Sequence, residues 1–521
     1  MPVTFDHSPN FPMLPHSTPH VREIYVITGL VFVVHLANAA VAAWAGYLSP
    51  DSWHYLRMAK SLYINGYPSV HGTSYYAAFP FGYPLLLALV SPGLDLAQTA
   101  VVSKFANGGL WISAYFALKS LRISPVLAAA VVMTPFSLSI AATTWSENLM
   151  LLALILTLLG IDRLQEGTSR SQAASIISLL AALLLGIASR YIFGFLLLGF
   201  ATAYLISFST KAFRPQIFLA FAASAGFFVL YLLVNVHQTG YATGGARIAV
   251  TESTSYLVFT FAKANYQLFL SMLLPVAALA FLTVRHWRLR PIAVMAALVG
   301  VAYIAILAYL RWHTQFDPFD QRLIGPGWFL LTVALVLAAC TPEPDGIRPL
   351  GSIALLCLAL WAGYSTHGET ASDLLQRGEA WTSPTQALRK DAQTFHRQSQ
   401  VTSVISVAVP SPRVSMDADP LYYGDLRVFT PGSAPFLRRE TLAEFRERVL
   451  AGVTDIDHCV VDFSRLASRQ QLSDVIDARY RTGLKHFDAR FDSTIAGRFR
   501  KIFRARTLVP CSKFLEREAS R

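Results

Sequence analysis

Residues 50–84, PDSWHYLRMAKSLYINGYPSVHGTSYYAAFPFGYP, decide how this chain is read. They follow directly on an apolar run, 24–48, long enough to cross a hydrocarbon core of about 30 Å. The stretch therefore begins at a membrane surface. It opens on an acid, continues as an amphipathic helix over 52–64, and ends as an aromatic- and proline-rich loop. His54 and Tyr55 lie one helical turn from Asp51 and on its face. Two readings of Asp51 stand side by side. Pro-Asp-Ser is a good helix-start signal, which makes Asp51 a cap. A carboxylate at the mouth of a membrane-embedded cavity is equally suited to catalysis.

Composition supports the membrane reading. Of 521 residues, 54% are apolar and only 14% charged, and the mean hydropathy is +0.44. A soluble domain carries roughly 25% charged residues. The net charge of +12 sits in short clusters between apolar runs, the arrangement that orients membrane proteins, so it is read as topology and not as nucleic-acid binding. The first 26 residues are rich in Pro and His, with no basic region and no small-residue cleavage site, so no signal peptide is expected.

Further apolar segments run at 97–118, 124–141, 147–161, 172–188, 192–208, 216–236, 263–284, 291–310, 326–340 and 350–366. With the first, that makes about eleven crossings. The apolar piece at 83–90 is too short to span and is expected to be a surface or re-entrant helix. With 1–23 as a cytoplasmic tail, the inner links are KSLR (119–122), DRLQEGTSR (162–170), KAFRP (211–215), RHWRLRP (285–291) and TPEPDGIRP (341–349). All five carry Lys or Arg, as the positive-inside rule requires. The opposite side receives the opening loop 49–84, TTWSEN (143–148), SRY (189–191), a long loop at 237–262, RWHTQFDPFDQR (311–322) and everything from 367 to 521. That last third is far more charged. VTSVISVAV (401–409) and DHCVVDF (457–463) read as strands around the helix-patterned TLAEFRERVLAGV (441–453), predicting a small extracytoplasmic α/β domain.

Ionisable groups near helix ends in a membrane protein are candidates for function. On the outer side these are Asp51, Glu147, Arg190 with Tyr191, Arg247, Lys263, Asp317, Asp320 and Arg322. Each alone has an ordinary reading: Arg190 snorkels, Glu147 sits at a helix start, Arg322 pairs with Asp320 or Asp317. Together, two acids, several cations and many aromatics suit a phosphate on a long apolar tail, with Tyr and Trp stacking on a sugar. GYATGG (240–245) is neither a Walker loop nor a Rossmann turn, so an activated lipid, not a nucleotide, is the expected energy source.

The order of these features resembles the GT-C superfamily of polyprenyl-phosphate-sugar-dependent glycosyltransferases, in particular the bacterial relatives of protein O-mannosyltransferases and the lipid A aminoarabinose transferase. The resemblance rests on the aspartate after the first helix in PDSWHYLRMAKSLYINGYP, on FPFGYP, on WSENLMLLAL, on SRYIFGFLLL and on DPFDQRLIGPGWFLL, and it covers about residues 1–366. It implies a transmembrane core at 24–366 and sugar transfer, with inversion, from a polyprenyl-phosphate donor to a glycan, lipid or protein acceptor outside the cytoplasmic membrane. It further implies that Asp51 is the general base or acceptor-orienting acid, Glu147 the second acid and Arg322 the phosphate ligand. His54, Tyr55, Arg190, Tyr191, Arg247, Lys263, Asp317 and Asp320 would line the substrate site. Here Arg322 is followed by Leu where relatives often have Tyr, and Glu stands at 147 in place of Asp, which leaves a divalent metal open. Asp51 and Glu147 can share an ion only if they lie within a few ångströms. A transporter of lipid-linked sugars is the alternative, and it requires mid-membrane charges and matching halves. Cys459 and Cys511, both in the outer third, are expected to form a disulfide.

Overall fold

The computed structural model describes residues 19–45, 48–70, 75–166, 172–208, 214–243, 250, 253–284, 287–314, 319–339, 349–377 and four short strands between 403 and 510. Helix α1 (Pro19–Ala45) is followed by α2 (Pro50–Asn65), the short α3 (Gly82–Val90) and α4 (Leu96–Ser120). Then come α5 (Pro125–Val132), α6 (Pro135–Ala142), α7 (Glu147–Glu166), α8 (Gln172–Ser189), α9 (Tyr191–Ser207) and α10 (Pro215–Thr239). The remainder is α11 (Thr254–Leu268), α12 (Leu274–Thr283), α13 (Pro291–His313), α14 (Gln321–Ala338) and α15 (Pro349–Arg377).

Six of these stretches are long and apolar enough to cross a membrane: Ile24–Trp44, Gln172–Ser189, Pro215–Thr239, Thr254–Thr283, Pro291–His313 and Gln321–Ala338. The pair α5 and α6 adds a seventh if taken as one span, although the two are bent by 54°. Large apolar side chains such as Leu198, Leu219 and Phe281 point outward from the bundle, as lipid contact demands. The protein is a multi-pass membrane protein. The other segments expected to cross, in α4, α7, α9 and α15, are helical as well.

Several expected boundaries shift: α14 begins at Gln321, and α15 runs on to Arg377, past the domain boundary expected at 367. The run 124–141 is not one rod, because Thr134 caps a new helix and Pro135 opens it. The span expected from Lys263 begins instead at Thr254, capped by the Ser253 hydroxyl on the Tyr256 amide, and it carries a single π turn at Phe269–Leu273. At nine residues α3 is short of a crossing, as expected.

Helix α14 lies in the middle of the bundle against α13, α11 and α12, and α13 also packs on α9. Small residues set the α13–α14 approach: a Cβ on Gly300 would stand 2.7 Å from the Gly327 carbonyl oxygen. Helix α7 packs against α4 and α8, and α1 against α4. Trp111, Phe136, Phe193, Tyr303 and Phe329 belong to this continuous core. Helices α2 and α3 pack together over a smaller cluster of Tyr55, Tyr83 and Leu87, and α3 starts where Gly82 meets the backbone of Ala188. These contacts bring the starts of α2, α7, α9 and α14 to one end of the bundle.

In the last third, β1 (Ser403–Val407), β2 (Arg427–Phe429), β3 (His458–Asp462) and β4 (Arg506–Pro510) form one sheet in the order β2-β1-β3-β4. β1 runs parallel to β2 and β3, and β4 runs antiparallel to β3. Both sequence-read strands fall in this sheet; the helix expected at 441–453 lies outside the described residues.

Candidate active site

Asp51 is not the cap of its helix. That role belongs to Ser49, whose hydroxyl accepts from the Ser52 amide at 3.3 Å, while the Ser49 amide donates to Ser52 Oγ at 3.0 Å. Pro50 occupies the first helical position, so Asp51 sits inside the first turn with its carboxylate directed elsewhere. It meets Arg322, which opens α14, at 2.5 Å between Oδ2 and Nη2. Arg322 also donates from Nε to Glu147 Oε1 at 2.5 Å. The same Oε1 lies 3.2 Å from Nη1 of Arg190, the residue between α8 and α9. Two carboxylates and two guanidinium groups from four separate stretches thus form one neutral cluster.

The cluster is open at one end. Side-chain exposure rises from 1% at Glu147 to 10% at Arg322 and 20% at Asp51. Glu147 is the buried counter-ion; Asp51 is the carboxylate that a substrate can reach. Burial pushes the Asp51 carboxyl up, but the charge and hydrogen bond of Arg322, aided by His54 and Arg190, bring it below the usual value. Burial likewise pulls the His54 imidazole down to about 4, although Asp51 opposes this, so the ring is neutral at pH 7.

An aromatic and hydroxyl lining surrounds the charges. The Arg322 guanidinium lies over the Trp145 ring, 4.6 Å from its centroid, a cation–π contact. Trp145 Nε1 donates to Ser49 Oγ at 2.6 Å, tying the 143–146 loop to the cap of the Asp51 helix. Tyr55 is buried, shares a 2.8 Å hydrogen bond with Ser146 and lies 3.5 Å from Arg190 Nη1. His54 stacks on Tyr76 at 5.3 Å and leans on Phe79, one side chain out from the ion cluster.

The structure therefore brings together Asp51, Glu147, Arg190 and Arg322, with Tyr55 in contact and His54 beside them. The expected pairing of Arg322 with Asp320 is replaced: Asp320 caps α14, accepting from the Leu323 amide at 2.8 Å. Tyr191 serves the neighbouring wall, donating to the Ala77 carbonyl at 2.7 Å and accepting from Asn235 at 2.9 Å. Lys263 lies mid-way along α11 on an exposed face, apart from the cluster. Arg247, Asp317 and Cys511 lie outside the described residues, and Cys459 is placed only as part of β3. Sequence reasoning missed Trp145, although it stands two residues before Glu147. It also missed Asn235, whose amide joins Tyr75, Tyr191 and the Ala242 carbonyl. A groove of about 370 Å³ lined by Lys60, Tyr63, Asp95 and Gln98 shares no residue with the cluster.

Arg322 already pairs with both Asp51 and Glu147, and among the described residues no group of three or more His, Cys, Asp or Glu side chains could hold a metal.

No family model matches the chain, and no curated protein sequence matches it. Among solved structures, ArnT from Cupriavidus metallidurans bound to undecaprenyl phosphate is similar, at 11% identity and a TM-score of 0.52, over 80% of this chain and 87% of that one. The apo state of the same protein gives 11% identity and a TM-score of 0.54 over the same shares. The helices, their order and this likeness agree with the resemblance read in the sequence: the chain is a multi-pass membrane protein that shares the fold of ArnT.

Proposed function

We propose that this protein is an integral membrane glycosyltransferase that moves a sugar from a polyprenyl-phosphate donor to a hydroxyl-bearing acceptor on the extracytoplasmic face of the cytoplasmic membrane. The observation that carries the reading is the Asp51–Arg322–Glu147–Arg190 cluster, a partly exposed carboxylate beside two partly buried guanidinium groups held by the buried Glu147, in a fold shared with a protein solved with undecaprenyl phosphate.

The chemistry follows from those groups. Asp51 takes the proton of the acceptor hydroxyl, whose oxygen attacks the anomeric carbon from the side opposite the phosphate. The bond from that carbon to the phosphate oxygen breaks, its electron pair stays on the phosphate, and the configuration inverts. Arg322 and Arg190 stabilise the negative charge that leaves with the polyprenyl phosphate. Glu147 pairs with both guanidinium groups and keeps them aimed at one point. When the donor phosphate takes Arg322 Nη2, Asp51 loses the partner that holds its basicity down. The base is thereby strengthened only when the donor is in place. Asp51 then gives its proton to water.

Asn235 holds the Ala242 carbonyl at the start of the loop that follows α10; residues 244–249, in the part of that loop expected to order over the donor, lie outside the described residues. The sheet of β1–β4 belongs to an α/β domain in the part of the chain after α15 that helps to select the acceptor, and membrane lipid surrounds the core. A transporter is the competing class. It requires charges near mid-membrane, whereas all four cluster residues lie at helix starts or junctions. Proteoliposomes loaded with radiolabelled polyprenyl-phosphate sugar and an acceptor separate the two: label in the acceptor supports transfer, and label only moved between leaflets refutes it.

A further inference from the structure

The 143–146 loop and the start of α7 supply Trp145, Ser146 and Glu147, and they rest on a polar stripe of α4 that the reaction itself does not use. Ser103, Asn107 and Trp111 follow one another at four-residue spacing on one face of α4, with Lys104 alongside, and all four are buried. The reason for polar groups there lies in α6. It ends at Ala142, itself buried, leaving carbonyls with no helical partner. Asn107 Nδ2 donates to the Ala141 and Thr143 carbonyls at 3.2 and 2.8 Å, while its Oδ1 accepts from Tyr83 at 2.8 Å. Trp111 Nε1 donates to Asn148 Oδ1 at 2.8 Å. The Asn148 amide in turn holds the carbonyls of Ile140, Thr143 and Trp145. Lys104 Nζ and Ser103 Oγ both reach Thr144 Oγ1, at 2.8 and 2.7 Å.

We propose that this stripe, acting through Thr144 and Asn148, is the positioning element of the candidate site, fixing the loop so that Trp145 and Glu147 hold Arg322 against Asp51. The inference rests on the glycosyltransferase reading. Its reach is short. Thr144 is bonded to α4, the next residue stacks on Arg322, and the residue two further on pairs with Arg322 and Arg190. A loop moved by about 1 Å lowers turnover by about 100-fold without altering any reacting group.

The test is Thr144→Val, which keeps the shape and removes the hydroxyl, with Thr144→Ser as the conservative variant. Asp51 is faced by Arg322 from α14, by Arg190 from the α8–α9 junction, by His54 and Tyr55 on its own helix and by Tyr76 from the following loop. Among these, Arg322 is the group the loop controls. With Arg322 slackened, burial dominates and the base titrates at higher pH. In Thr144→Val, kcat is expected to fall about 10–100-fold, and the acidic limb of kcat/KM for the donor against pH, which reports the donor-free enzyme in which Arg322 holds Asp51, is expected to move to higher pH. Thr144→Ser should restore both. Unchanged kcat and limb in folded Thr144→Val overturn the proposal, as does a loss of activity that tracks melting temperature while the limb stays in place. Should Thr144→Val not fold, Lys104→Met is read by the same two measurements. If wild-type protein transfers no sugar, the functional reading fails; if wild type is active and the variants behave like it, only the positioning role fails.

Discussion

Changing Asp51 to Asn separates catalysis from structure at the point where the sequence alone left both open. The helix start survives, because Ser49 and Ser52 form the capping box and Pro50 opens the first turn. What changes is the contact with Arg322. Asparagine still offers an oxygen, but the 2.5 Å ion pair becomes a hydrogen bond from a cation to a neutral group. Breaking a buried pair costs about 3–5 kcal/mol. Here a fifth of the Asp51 side chain is exposed and Arg322 keeps Glu147, so a loss on the order of 1–2 kcal/mol is expected. Turnover should fall by about 10²–10⁴-fold, equivalent to about 3–5 kcal/mol of transition-state stabilisation. The two effects are read separately: melting in detergent gives the first, and transfer of labelled sugar at saturating donor gives the second. The wild-type acid limb supplies a cross-check. A carboxyl held below its ordinary value stays ionised as pH falls, so in donor-free protein the stability due to Asp51 is present above the unfolded-state value. It is lost only as pH falls through the depressed one. Asp51→Asn with transfer within a few-fold of wild type would falsify the general-base role.

Arg322→Ala should weaken donor binding far more than acceptor binding, and Arg322→Lys should rescue only in part, since an ammonium cannot span Asp51, Glu147 and a phosphate as the guanidinium fork does; donor titrations of the purified variants decide this. Asp320→Asn, by contrast, keeps a good cap on α14 and should leave the same titrations unchanged. Gly300→Ala places a methyl 2.7 Å from the Gly327 oxygen and should cost about 1–3 kcal/mol, read as a lower melting temperature. Cys459 and Cys511 should appear as a linked peptide in a non-reduced digest, closing a loop of about 50 residues and stabilising by about 3–4 kcal/mol. Two free thiols in protein from an oxidising compartment count against the bridge or the orientation.

Much of the site was legible because charge is costly in a membrane. Asp51, Glu147, Arg190 and Arg322 stand out from apolar surroundings, and the loop-charge pattern put all four on one side, where the structure joins them. Partner choice was not legible. Arg322 has two acids within five residues in sequence, and proximity along the chain favoured them over Asp51 and Glu147. The cap of α2 was open to reading, since Pro prefers the first helical position and so points to Ser49. The break at Thr134-Pro135 was signalled too, but it lay hidden within an apolar run. Asn107, Asn148, Asn235 and Lys104 were absorbed into apolar stretches because hydropathy averages over a window, whereas a single amide takes its meaning from carbonyls far away in sequence. The β1, β3 pair emerged from its alternation; β2 is only three residues long, and β4, as long as β1, follows a basic stretch that masks it.

The ion cluster also imposes an order on biogenesis. Glu147 and its partner Arg322 are 175 residues apart, and at ordinary synthesis rates the first waits on the order of ten to thirty seconds for the second. During that interval the emerging chain holds two acids and one arginine at a point that will become buried. A carboxylate left over in this way resists burial, so the first half of the bundle cannot close before α14 arrives. Closure is thus deferred until the helix carrying Arg322 has inserted, and a chain that stops short of it keeps an unneutralised acid where membrane quality control can find it.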